Sequence, residues 1–551
     1  MKITLLQLNP TIGDLEGNSK KILESVNTIK KDHPDLIVTS ELALPGYPPQ
    51  DLLLDKQFIG RSWETLDKLA FELNGAPPVI IGLAEPNTTT TGRPLYNVAA
   101  LIHAGKIQQC FQKTLLPTYD VFDEDRYFEP STGPKILRLK NKTIGISICE
   151  DIWNDRDFWN RRRYQADPIE DLVKSGVELI LNISASPFTV GKQQLREKML
   201  GSIAGKYHIP LMYVNQVGGN DDLVFDGRSC AFDSGGNLIA RAAAFEEDFL
   251  TVDLSSLSSN HISDDDFCPE SEIWRALVLG TRDYVHKTGF KSVLLGLSGG
   301  IDSALVAAIA AEALGKENVM AVLMPSPYSS KGSVDDSQIL VSNLGIRSTM
   351  VPITTIMNAF EETLQHEFTG HPRDVTEENL QARIRGTLLM ALSNKFGSLL
   401  LTTGNKSEVS VGYATLYGDM CGAIGVIADV PKNMIYRIAR WVNAHGTTPT
   451  IPEQILAKAP SAELRPGQTD QDSLPPYDLL DQILYRHIEL HESPAEIIAQ
   501  GYPEKITYQV LHLVKTAEFK RKQAAPGIKV TDRAFGTGWR MPIASKEWYL
   551  H

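Results

Sequence analysis

Residues 293–314 constrain this chain more than any other stretch. Val293-Leu294-Leu295-Gly296-Leu297 is an apolar run of the length expected for one buried parallel strand. Ala304-Leu305-Val306-Ala307-Ala308-Ile309-Ala310-Ala311 predicts a helix. Between them lies Ser298-Gly299-Gly300-Ile301-Asp302-Ser303. A strand, a tight Gly-rich turn and a helix start point to an open α/β sheet whose turn forms an anion-binding nest. Its backbone N–H groups point outward, and the helix dipole favours negative charge. Gly299 and Gly300 let the backbone approach a phosphate, and Ser298 and Ser303 add hydroxyl donors. Asp302 would repel a bare phosphate, which suggests Mg²⁺ between carboxylate and phosphates. A glycine pair alone would mark an ordinary turn, but the full six-residue string in this context exceeds that.

No G-x-x-x-x-G-K-[ST] run is present, so the loop is not a Walker A sequence. It resembles the pyrophosphate loop of the ATP pyrophosphatases, which split ATP between the α- and β-phosphates. The resemblance implies ATP on Gly296, Leu297, Ser298, Gly299, Gly300, Ile301, Asp302 and Ser303.

A second signature lies upstream. Asp35-Leu36-Ile37-Val38-Thr39 leads to Glu41, Lys106 to Phe111 alternates like a strand and leads to Lys113, and Lys142 to Ile148 leads to Cys149. Groups at strand ends of an α/β sheet can converge on one pocket. A carboxylate base, a cation for an oxyanion and a thiol nucleophile together suit acyl transfer. Taken singly, each has a plainer reading, and a lone Cys after an apolar run is usually a small core residue.

The flanking strings separate these readings. Glu41-Leu42-Ala43-Leu44-Pro45-Gly46-Tyr47, Lys113-Thr114-Leu115-Leu116-Pro117 and Cys149-Glu150-Asp151-Ile152-Trp153 resemble the three motifs of the nitrilase superfamily. Tyr119 to Phe128 resembles its glutamine-hydrolysing branch. The resemblance implies that Cys149 attacks the glutamine carboxamide, Glu41 takes the thiol proton and Lys113 stabilises the oxyanion. It also implies glutamine contacts at Tyr119, Ser186 and Lys192.

With 551 residues, two or more domains are expected. A net charge of −13 argues against a nucleic-acid partner. Cysteines 110, 149, 230, 268 and 421 form no C-x-x-C pair, so a reducing, cytoplasmic setting is expected. The first residues read as a strand rather than a signal peptide, and no apolar segment is long enough to span a membrane. A homo-oligomer is expected.

A boundary follows a last strand near Phe249 to Leu254. Residues 1–255 are expected to form a nitrilase-like four-layer αββα sandwich and 256–271 a Ser/Asp-rich linker. Residues 272–551 are expected to form a doubly wound parallel sheet of the adenine nucleotide alpha hydrolase type. Short β segments are expected at 177–183, 211–215 and 228–232, among others. Residues 447–478 hold many Pro and Thr, and such long irregular stretches are often active-site lids.

Three further strings narrow the substrate. They are Thr376 to Arg385, Thr402-Thr403-Gly404-Asn405-Lys406-Ser407-Glu408, and Phe519-Lys520-Arg521-Lys522-Gln523. With the phosphate loop they resemble the NAD synthetases, in the form fused to a nitrilase-type glutaminase. The resemblance spans nearly the whole chain. It implies adenylation of the nicotinate carboxylate of deamido-NAD, pyrophosphate release, and attack by ammonia carried through protein from glutamine. Thr403 would touch ATP, Asn379, Glu408 and Lys520 would touch deamido-NAD, and Asp302 and Glu408 would hold Mg²⁺. The rival readings are an amidohydrolase with a nucleotide-sensing domain, and a different ATP-dependent amidotransferase or thiolase. A metal site at His487 and His491 is not expected, because no carboxylate–water chemistry accompanies them.

Overall fold

The computed structural model describes residues 1–256, 260–446 and 449–546. Part of the expected linker (257–259) and the start of the 447–478 segment (447–448) lie outside them. The chain divides into two compact units, Met1–Phe267 and Cys268–His551.

Period-two patterning builds the first unit. Along Leu36–Thr39, Leu36 and Val38 point to one face and Ile37 to the other. Lys142–Ile148 behaves likewise, with Ile144, Ile146 and Ile148 on one face. The first sheet has six strands, in the order Asp248–Asp253, Lys2–Gln7, Leu36–Thr39, Val79–Pro86, Leu95–His103, Lys106–Gln112. The second also has six, in the order Leu238–Arg241, Cys230–Phe232, Leu211–Asn215, Leu179–Ser184, Lys142–Ile148, Ile136–Leu139. Apolar residues from both sheets merge into one cluster, so the sheets pack face to face. Helices Leu15–Ile29 and Lys56–Glu72 cover the outer face of the first sheet. Helices Pro168–Lys174 and Lys192–Tyr207 cover that of the second. The result is the expected αββα layering.

Two expected strands shift. Residues 228–232 narrow to Cys230–Phe232, because Arg228 takes φ 58°, a left-handed conformation no strand accommodates. Residues 177–183 become Leu179–Ser184, because the preceding helix ends in a turn through Gly176 at φ 75°.

The second unit carries five parallel strands, in the order Arg347–Met350, Val319–Leu323, Val293–Gly296, Leu399–Thr402, Ile424–Gly425. In chain order this is 3-2-1-4-5, a doubly wound sheet with its switch point between the first and fourth strands. Helix Ile301–Leu314 is apolar and buried almost all round, as a helix enclosed by other elements must be. It starts at Ile301, three residues earlier than the apolar run alone indicates. Residues 447–478 are less irregular than expected, since they include helix Glu453–Ala457 and a short 3₁₀ turn at Asp470–Asp472. Among the described residues, no helix is long and apolar enough to cross a membrane.

Candidate active sites

In the first unit, the strand ends bring Glu41, Lys113 and Cys149 to one buried point. Lys113 Nζ donates to Glu41 Oε1 at 2.7 Å and to Glu124 Oε2 at 2.7 Å. Glu41 is further fixed by Asn97 Nδ2 at 2.8 Å and by the Ala185 N–H at 3.0 Å. Cys149 takes φ 44° where strand Lys142–Ile148 turns into a 3₁₀ helix. That strained turn sets the thiol at a strand end rather than in a strand face. Asp151 ties the two motif loops together by accepting from Leu115 N–H at 2.7 Å, Ile148 N–H at 3.0 Å and Thr114 N–H at 3.1 Å.

The electrostatics of this point follow from burial. Burial, then the charge of Glu41, pushes the Cys149 thiol well up, with Lys113 opposing. The resting thiol is therefore protonated and needs a base. Burial works against the Lys113 ammonium, but Glu124 and Glu41 outweigh it and hold it well above its ordinary value. Lys113 is thus a permanent cation. Burial raises Glu124 too, against the pull of Lys113.

Glu124 was not singled out in the sequence. It lies in a short turn after Lys113, and only the contact itself marks it. Tyr119 donates its hydroxyl to Glu150 Oε2 at 2.9 Å, beside the thiol, and the Arg163 guanidinium sits 3.8 Å from its ring centroid. Ser186 follows Ala185 directly, and its N–H donates to Asn215 Oδ1 at 2.9 Å. Lys192 Nζ donates to Pro187 O at 2.8 Å and lies 5.6 Å from the Trp153 ring centroid. Ser186 thus follows a partner of Glu41, Tyr119 bonds to the residue after Cys149, and Lys192 reaches Pro187 and Trp153.

In the second unit, a cavity of about 300 Å³ opens at the switch point of the sheet. Gly296, Leu297, Ser298, Gly300, Ile301, Asp302 and Ser303 line it, together with Thr403 and Glu408. Gly299 takes φ 80°, and a Cβ there would stand 2.3 Å from Ser333 O, so only glycine fits. Asp302 and Glu408 converge on one ammonium, with Lys432 Nζ 2.5 Å from Asp302 Oδ2 and 3.3 Å from Glu408 Oε1. Asn405 Nδ2 donates to the other Asp302 oxygen at 3.0 Å.

Two mostly buried carboxylates thus share one cation. Burial, partly offset by Lys432 and reinforced by Asp302, pushes the Glu408 carboxyl well up. Carboxylate oxygen donors beside a phosphate loop suit a hard divalent ion such as Mg²⁺, which is commonly held by one or two carboxylates plus phosphates. The residues fit that ion.

Residues of the 447–478 segment close one side of the cavity. Glu463 accepts from Ser333 Oγ at 2.8 Å and Ser330 N–H at 3.1 Å, and Lys458 Nζ donates to it at 2.6 Å. Asn379 and Lys520 do not line the cavity. Asn379 Oδ1 accepts from Thr415 Oγ1 at 2.9 Å, and Lys520 Nζ donates to Gly412 O and Ala414 O at 2.8 Å each. Asn379 stands behind its wall, since Thr415 does line it, while Lys520 bonds to the backbone on either side of Tyr413, another lining residue. Sequence reading missed Lys432, which carries no local signal beyond its place after Pro431. His491 faces Arg533, with Nη1 2.6 Å from His491 Nε2.

The carbon-nitrogen hydrolase family matches residues 2–259, and the NAD synthase family matches residues 273–524. A glutamine-dependent NAD(+) synthetase of Synechocystis sp. is 52% identical over 549 residues, covering 98% of each chain. One from Thermotoga maritima is 46% identical over 583 residues, covering 99% of each. A solved glutamine-dependent NAD+ synthetase of Acinetobacter baumannii, in complex with ADP, superposes with a TM-score of 0.77 at 40% identity over 98% of both chains.

Proposed function

This chain belongs to the glutamine-dependent NAD(+) synthetases, ligases with a carbon-nitrogen hydrolase glutaminase unit and an NAD synthase unit, and from that premise we propose how its residues divide the reaction. The carrying observation is that one chain holds both a buried Glu41–Lys113–Glu124 cluster at Cys149 and a cavity where Asp302 and Glu408 share Lys432.

In the first unit, Cys149 Sγ attacks the glutamine carboxamide carbon while Glu41 takes the thiol proton. Lys113 N–H faces the oxyanion. Collapse breaks the C–N bond, Glu41 returns the proton to nitrogen, and ammonia leaves. Water then attacks the γ-glutamyl thioester, Glu41 takes its proton, and glutamate and the thiol are restored. Glu124 keeps Lys113 charged and aimed. Tyr119, Ser186 and Lys192 hold the amino-acid end of glutamine.

In the second unit, the loop from Gly296 to Ser303, with Thr403, cradles ATP. The nicotinate carboxylate of deamido-NAD attacks the α-phosphorus, and pyrophosphate leaves. Ammonia attacks the activated carboxyl carbon, AMP leaves, and NAD forms. Asp302 and Glu408 would hold Mg²⁺, which when bound supplies charge neutralisation for the phosphates. Lys432 adds a fixed cation beside the same phosphates. Asn379, Glu408 and Lys520 orient deamido-NAD, the first and last through the cavity wall.

The dispersed cysteines support a cytoplasmic setting. Assembly into a homo-oligomer belongs to the same reading and is tested by light scattering of the purified protein. The reaction itself is tested by product stoichiometry. One AMP, one pyrophosphate and one NAD are expected per deamido-NAD consumed, with glutamate formed when glutamine is the nitrogen source. Glutamine hydrolysis without AMP or pyrophosphate would instead favour an amidohydrolase that senses nucleotide.

A further inference from the structure

Arg196, Asp226, Arg228 and Asp265 form one set of buried charged side chains in the first unit that has no part in the chemistry above. Arg196 Nη2 contacts Asp226 Oδ1 at 3.2 Å, and Arg228 Nη1 contacts Asp226 Oδ2 at 3.4 Å. The other side of the Arg228 guanidinium meets Asp265, with Nη2 to Oδ1 at 2.9 Å and Nε to Oδ2 at 2.7 Å. The rings of Phe245 and Phe267 flank Arg228 at 5.2 and 5.7 Å. Arg228 makes these contacts from a left-handed φ of 58°. Buried ion pairs are weak sources of net stability, yet losing one partner is severe, so such a set is a stiff positional link.

The inner end of this link reaches the glutamine site. Asn215 Nδ2 donates to Asp226 Oδ1 at 3.3 Å and to Gly227 O at 3.2 Å, while Asn215 Oδ1 accepts the Ser186 N–H. The preceding residue, Ala185, gives its N–H to the base Glu41. One short stretch of backbone after strand Leu179–Ser184 therefore serves both base and binding site. The outer end is Asp265, three residues before Cys268, where the second unit begins.

We infer that Asp265, in the segment leading out of the first unit, is a positioning residue for glutamine hydrolysis: through Arg228, Asp226 and Asn215 it sets the Ala185–Ser186 backbone. This rests on the assignment of Glu41 as base and Ser186 as a glutamine contact. The link is graded rather than all-or-none, because Arg228 keeps Asp226 when Asp265 is lost.

The test uses the full-length protein with glutamine and with ammonium as nitrogen source. Asp265→Asn is expected to raise the KM for glutamine about tenfold, with a smaller change in kcat and ammonium-dependent NAD synthesis held within about twofold. Asp265→Glu, which restores the charge, is expected to bring the KM back most of the way. Asn215→Ala is expected to give the same defect, and the double variant no more than the larger single one, as for residues acting in one chain of contacts. An unchanged glutamine KM in Asp265→Asn overturns the inference. So does a parallel loss of both activities with a lowered melting temperature, which would mark a purely structural contact. If Asp265→Asn does not fold, Arg228→Lys decides in its place, since it keeps the charge and removes the fork, and a wild-type glutamine KM there overturns the link. Cys149→Ala separates the two levels. If it keeps glutamine hydrolysis, the site assignment has failed. If it loses hydrolysis while Asp265→Asn changes nothing, only the positional link has failed.

Discussion

The two sites solve opposite problems. At Cys149 two carboxylates share one lysine, because Lys113 sits between Glu41 and Glu124 in a fully buried cluster whose geometry is set before any substrate arrives. At Asp302 two carboxylates likewise share one lysine, but at the edge of an open cavity. A neutral, unreactive amide needs a strong nucleophile in fixed geometry, so the first site is preassembled. A polyphosphate brings its own charge, so the second site is built to be completed by cation and substrate. The difference teaches where each unit is vulnerable: the first to loss of geometry, the second to loss of charge.

Asp302→Ala gives the largest effect expected on both nitrogen donors at once. NAD synthesis should fall by roughly two or more orders of magnitude with either nitrogen donor, because charge stabilisation at the phosphates is lost. Glutamine hydrolysis should survive. Equal NAD synthesis with and without Asp302 would reduce the loop to a structural turn and break the contrast.

Glu124→Gln sharpens it from the other side. With one carboxylate gone, Lys113 loses a partner that keeps it charged and aimed. Glutamine-dependent turnover is expected to drop about 10- to 100-fold while ammonium-dependent synthesis stays unchanged. A loss shared by both nitrogen donors would mean that Glu124 merely supports the fold.

Glu463→Ala probes the wall contributed by the 447–478 segment. Its bonds to Ser330 and Ser333 would be lost, and the KM for ATP should rise about fivefold with glutamine hydrolysis unaffected. An unchanged ATP KM would remove that segment from the site.

The smallest effect concerns stability. Burial pushes the Asp151 carboxyl up to about 6 from an ordinary 3.8, although three backbone N–H groups oppose it. The native state therefore holds this proton more tightly than the unfolded chain. Its contribution to stability is full below the unfolded value and is lost as pH rises through about 6. Asp151→Asn should flatten the decline of unfolding free energy between pH 4 and 6, at a cost of about 1–3 kcal/mol from a mismatched N–H contact. A slope identical to the wild type would contradict the assignment.

Much of this arrangement was legible in the sequence because it is local. Glu41, Lys113 and Cys149 each end an apolar run, and strand ends gather in α/β sheets. The phosphate loop is contiguous, with its glycines, hydroxyls and carboxylate in six residues. Glu124 and Lys432 were not legible because their roles exist only across space. Glu124 meets Lys113 through an irregular turn, and Lys432 meets Asp302 from a helix 130 residues away. The strand expected at 228–232 starts two residues late for a related reason. Arg228 gives up extended geometry to reach Asp226 and Asp265, and no periodicity signals that trade. Asn379 and Lys520 came from motif strings, which carry no information about which side of a wall a side chain occupies.

The most direct measurement of the division between sites is NAD synthesis by Cys149→Ala with each nitrogen donor in turn. With glutamine, synthesis should fall by about three or more orders of magnitude, as for removal of a covalent nucleophile. With ammonium it should stay within about twofold of wild type, because every group at the adenylation cavity is untouched. Glutamine-dependent synthesis at the wild-type rate would contradict the assignment of Cys149, and an equal collapse with ammonium would contradict the independence of the second site.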